Sequence, residues 1–124
     1  MRFYHVSNNP HIAESVIYPR IPSRRLVTED DKKARICVSS SIIGCLSALY
    51  PLEKGQHMYI YVCDAEKFIQ PTLEQVADVA YTGEIWLTEA TKIEYYEEIR
   101  ICEKHIMVVE EFEIPFYEYI VIDR

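Results

Sequence analysis

The chain is poor in the residues that break or staple a polypeptide. Three glycines and six prolines in 124 residues exclude a collagen-like, low-complexity or linker-dominated chain. Four cysteines, Cys37, Cys45, Cys63 and Cys102, form no CxxC pair, and no histidine stands at zinc-finger spacing from them. The expectation is therefore no metal, with reduced thiols in or beside apolar runs. No apolar run approaches membrane-spanning length, and the opening MRFYHVSNNP lacks the apolar core of a secretion signal. The sequence thus reads as cytoplasmic. Positive charge is also scarce: 13 Lys and Arg against 20 Asp and Glu give a net charge of −7. That balance argues against sequence-independent nucleic-acid binding, which needs a basic footprint. It favours solubility and basic partners.

What is present suits one globular domain over residues 1–124, with 49% hydrophobic and 27% charged residues. Branched and aromatic runs predict strands over 2–6, 36–39, 57–63, 84–88, 93–102, 106–112 and 116–122. Residues 9–35 carry three prolines and the charged cluster TEDDKKAR, and read as a long ordered loop. Ser40 or Ser41 predicts a helix N-cap. Behind it Ile42, Ile43, Leu46, Leu49 and Tyr50 recur at helical spacing up to Pro51. A shorter helix is expected over 72–79, capped by Thr72. The fold class is α+β.

Three motifs follow in order: Phe3-Tyr4-His5-Val6-Ser7 on the opening strand, Cys37-Val38-Ser39-Ser40-Ser41-Ile42 running from strand into helix, and Thr82-Gly83-Glu84-Ile85-Trp86-Leu87 starting a later strand. Taken singly they have bland readings: a structural strand histidine, helix-capping serines and a solvated carboxylate. Their order and spacing resemble the ADP-ribosyltransferase fold in its His-Tyr-Glu branch, which includes diphtheria-type toxins and poly(ADP-ribose) polymerases. FYH, and IWLTEAT followed by EEIRI, are also similar to the rifampin ADP-ribosyltransferases. In size the chain resembles small phage anti-CRISPR ADP-ribosyltransferases. The resemblance spans roughly residues 2 to 101.

The resemblance implies split, mostly antiparallel sheets around an NAD cleft with one main helix. It implies transfer of ADP-ribose from NAD to a macromolecule, in the first place a protein, with a phage–host conflict as one setting. NAD would be the co-substrate. Glu84 would be catalytic, stabilising positive charge on the ribose of an oxocarbenium-like transition state. His5 would bind the other ribose. Ser39 and Ser41 would meet the nicotinamide amide or support Glu84, and the Val6 backbone would hold the amide where the family has glycine. The family's stacking tyrosine would fall near Gly44 or Cys45, so Tyr4, Tyr81 or an aromatic from elsewhere would replace it. Arg20, Arg24 and Arg25 in the long loop suit a diphosphate; a solvated basic loop is the alternative.

Asp78 is the alternative acid. Glu111 and Glu113 resemble the paired glutamates of arginine-modifying toxins but lie too far from the serines, and read as exposed strand positions. His11, His57 and His105 read as surface or edge residues. The rival functions are a non-enzymatic protein-binding module on a degenerate fold of this type, NAD hydrolysis, or transfer to a small molecule or nucleic acid.

Overall fold

A computed structural model describes residues 1–10, 16–21, 33–49, 51–73, 75, 79–109 and 112–122. Among these lie, in chain order, β1 (Arg2–Ser7), β2 (Val16–Ile17), β3 (Ile36–Ser39), α1 (Ile42–Ala48), β4 (His57–Asp64), α2 (Val79–Thr82), β5 (Glu84–Leu87), β6 (Thr91–Lys92), β7 (Glu94–Val109) and β8 (Phe112–Ile122). Six strands form one sheet in the order β5-β3-β1-β4-β7-β8, and β2 pairs with β6 in a separate ribbon. Every strand pairing among the described residues is antiparallel. The molecule is a sheet-dominated α+β fold.

Each face of the sheet has its own core, because side chains alternate along a strand. On one face α1 packs Cys45 and Leu46 against Val6, Met58, Ile60, Ile99, Ile101 and Tyr117. On the other, Phe3, Ile36, Val38, Tyr61, Cys63, Leu87 and Ile93 cluster, with Ile17, Phe68 and Ile85 against them. Burial on both sides explains why β3 and β4 read as near-continuous apolar runs. Each fully buried side chain, such as Leu46 or Ile60, contributes roughly 1.5–3 kcal/mol.

Local sequence accounts for most element ends. Ser41 caps α1: its Oγ accepts from Gly44 N–H at 3.0 Å. The predicted apolar face of this helix is narrower than expected, since Ile43 is exposed while Cys45, Leu46 and Ser47 are buried. The reason is length: a seven-residue helix lays down only one short stripe. Tyr50 lies outside the described residues. Thr72 does cap a turn. Its N–H donates to Gln75 Oε1 at 3.0 Å while its Oγ1 accepts from Gln75 N–H at 3.3 Å, the reciprocal capping arrangement. The helix expected over 72–79 is partly outside the described residues, and the helix present is Val79–Thr82.

The strands expected over 93–102 and 106–112 are joined in a single strand, β7, of 16 residues that runs to Val109, while Phe112 already belongs to β8. No Gly, Pro, Asn or Asp interrupts it, so nothing specifies a turn. A register shift between Ile101 and Glu103 absorbs Cys102 as a bulge. Pro115 sits within β8, tolerated because β8 is the outermost strand.

Candidate functional site

Glu84 opens β5 because Gly83 ends α2. Gly83 has φ +64° and its N–H donates to Val79 O at 2.9 Å, the left-handed helix stop that glycine adopts without penalty. The next residue therefore enters the sheet edge directly. Glu84 is buried, and Trp86, two residues on and so on the same face, donates its indole Nε1–H to Glu84 Oε2 at 2.8 Å. The Glu84 N–H donates to Thr82 Oγ1 at 3.2 Å. The carboxylate before the tryptophan run is thus held, not solvated. The ring that holds it is itself covered, with the Arg35 guanidinium 4.2 Å from its centroid.

The serines lie beside it. Register pairs Glu84 with Ser39 and Ser39 with Tyr4, so these three side chains share a row on the α1 face. Ser39 is buried; its Oγ donates to Thr82 O at 3.0 Å and accepts from Ser41 N–H at 3.3 Å. Ser41 Oγ is the helix cap. Both hydroxyls that the sequence suggests for a ligand are engaged in tying β3, α1 and the end of α2 together. Gly44 allows this approach: a Cβ there would run into the Thr82 carbonyl and stand 2.7 Å from Ser39 Oγ.

His5 lies elsewhere. It pairs with Tyr61, which belongs to the opposite face, and its neighbours Tyr4 and Val6 belong to the α1 face. Strand alternation therefore puts the imidazole across the sheet from Glu84, and the expected convergence of His5 and Glu84 on one pocket is not what this register builds. His5 Nδ1 bonds Cys37 O at 3.1 Å. A carbonyl only accepts, so the proton sits on Nδ1. Burial lowers the His5 pKa, the bond to Cys37 opposes that, and Arg20 lowers it further. His5 is a neutral donor at pH 7.

The other candidates divide. The Val6 side chain is in the core beside Leu46 and Ile60, and its backbone, which the resemblance invokes, lies in β1 opposite Ile60 of β4. Arg20 is exposed and bridges Arg35 through backbone bonds of 3.0 and 2.9 Å; its charge acts on His5. Arg24, Arg25, Asp78, His11 and Glu111 lie outside the described residues, as does the Tyr81 side chain. Cys45, near the position of the family's stacking tyrosine, is buried and donates Sγ–H to Tyr4 O at 3.2 Å. Burial pushes its thiol up to about 12, against the pull of a hydrogen bond to the Ser39 backbone. Glu113 is exposed. His57 bonds Glu98 Oε2 at 2.7 Å, and His105 stacks on Phe116 at 5.0 Å.

A cavity of about 320 Å³ opens at the end of β5 that carries Glu84, lined among others by Phe3, Ser40, Phe68, Pro71, Gly83 and Glu84. Phe3 and Phe68 meet edge to face, centroids 5.2 Å apart. Phe3 opens the first sequence motif without a role of its own, and Phe68 belongs to none. Phe68 stands in a short irregular stretch, KFIQP, with no period to mark it. Trp86 was legible as a partner, since positions two apart in a strand share a face. No protein-family model matches the chain, and no curated protein or solved structure matches it.

Proposed function

We infer that the chain acts on NAD, transferring ADP-ribose to a protein, with Glu84 as the carboxylate and without His5 in the site. The observation carrying this reading is a buried carboxylate, fixed by Trp86 at 2.8 Å, on a residue that borders a cavity of about 320 Å³. Nicotinamide in NAD is a flat cation. A carboxylate suits such a group, and the cavity volume falls at the lower end for small-molecule sites. In the reaction the bond from ribose C1′ to the nicotinamide nitrogen breaks. The electron pair leaves with nicotinamide, which departs neutral. The acceptor's lone pair forms the new bond to C1′ and the acceptor gives up its proton. Glu84 offsets the positive charge on the ribose between these events. Its supports, Trp86 and the Ser39–Thr82 bond, position it without touching the substrate.

The test is release of nicotinamide and labelling of lysate proteins from labelled NAD. Glu84→Gln should lower the rate about a hundredfold. No release of nicotinamide by the wild type, or an equal rate from Glu84→Gln, would overturn the reading. A second reading, a non-enzymatic protein-binding module, is favoured by one observation: Ser39 and Ser41 are bonded internally. Calorimetry with NAD separates the two, since only the first expects heat of binding.

A further inference from the structure

On the α1 face, beyond the row of Glu84, Ser39 and Tyr4, tyrosines gather around a guanidinium. Arg2 lies 5.9 Å from the Tyr4 ring centroid and 5.3 Å from that of Tyr96. Tyr4 and Tyr96 meet edge to face at 5.8 Å. Tyr119 joins them: burial pushes its hydroxyl up, and next come the Glu97 carboxylate, Tyr96 and Tyr4. Tyr96 remains 45% exposed although it sits in a strand. Acid surrounds the group. Asp64 stands opposite Arg2, Glu94 opposite Val62 in the row of Tyr4, and Glu97 opposite Ile60 in the row of Val6. Asp64 and Glu94 are exposed.

The geometry points to this surface as a docking site for an arginine-bearing segment of a basic protein partner. Three features carry it. The rings already receive a guanidinium, that of Arg2, so their spacing accommodates one. The carboxylates outnumber that single cation, in a chain of net charge −7, so the local field draws positive groups. And Tyr96 is 45% exposed, in the strand that also carries Glu94 and Glu97. An arginine can stack on that ring and fork to a carboxylate at once; lysine, a point charge on a flexible stem, cannot do both. Tyrosine and arginine are also the residues that dominate buried contacts between proteins. The inference does not depend on NAD chemistry.

The test is calorimetry of the whole chain with a hexa-arginine peptide and a hexa-lysine peptide, each at moderate salt. The arginine peptide should bind at least tenfold more tightly than the lysine peptide. Tyr96→Ala and Glu97→Gln should each weaken it about tenfold, while Glu66→Gln, an exposed charge-matched control, should leave it unchanged. Circular dichroism checks that each variant is folded, and Glu97→Gln carries the test if Tyr96→Ala is not. No binding of the arginine peptide, equal affinity for the two peptides, or equal loss in Glu66→Gln and Glu97→Gln, would overturn the proposal; the last two mark a diffuse attraction to an acidic protein.

Discussion

Trp86 and Glu84 are joined side chain to side chain along one strand, indole nitrogen to carboxylate oxygen at 2.8 Å, both buried. The bond holds one carboxylate oxygen in place near a cavity and spares it a fully unsatisfied burial. It also links the sheet edge to Arg35, whose guanidinium covers the other side of the indole. The candidate site is built from this pair outward: its chemistry rests on the carboxylate and its rigidity on the ring.

Replacing Trp86 with Phe keeps the ring and deletes the donor. Glu84 then loses one bond in a buried position, and the cost should be about 1–3 kcal/mol. Urea unfolding measures it. An unchanged midpoint would show that the bond contributes nothing to stability.

Gly44 and Gly83 should separate space from backbone conformation. At Gly44 an added Cβ meets a backbone carbonyl, which cannot move as a side-chain tip can, so Gly44→Ala should cost at least about 1–3 kcal/mol. At Gly83 the nearest atom is 3.4 Å away but φ is +64°, so Gly83→Ala should cost about 1–2 kcal/mol through strain alone. Thermal melts of both variants should rank Gly44→Ala as the worse; the reverse order would contradict the packing of α1 against the end of α2.

His5 makes the fold sensitive to mild acid. Its folded pKa lies below the ordinary 6.5, so the unfolded chain binds this proton more readily. The resulting stability is fully present above about pH 6.5 and is lost as pH falls toward the lowered folded value. Denaturant midpoints at pH 7.5 and pH 5 should therefore differ more for the wild type than for His5→Gln. Equal differences would mean that the imidazole titrates freely.

The cysteines should label in two groups. Burial raises the Cys45 and Cys63 thiols to about 12 and about 11, and the thiolate is the reactive form. Cys37 and Cys102 are only half-buried. Alkylation of the native chain at pH 8, mapped by mass spectrometry, should modify Cys37 and Cys102 first and reach Cys45 and Cys63 only with denaturant. Early modification of Cys45 would contradict the placement of its thiol against Tyr4 O.

By itself the sequence determined what depends on neighbours along the chain. The strands expected over 36–39 and 84–88 follow from branched and aromatic runs, and a cap at Ser40 or Ser41 from a hydroxyl before an apolar stretch. These are local energies, paid within a few residues. Which face each side chain takes was decided only by tertiary structure. Antiparallel register, Tyr4 against Ser39 and Ser39 against Glu84, puts Tyr4 and not His5 in the carboxylate's row, and a shift of one residue would reverse that. The same holds for the fused strand β7, whose continuity comes from pairing with β8, and for Phe68, which reaches Phe3 from a stretch with no pattern of its own. Contacts between distant segments depend on how two strands align, and no composition or spacing within either strand encodes the alignment.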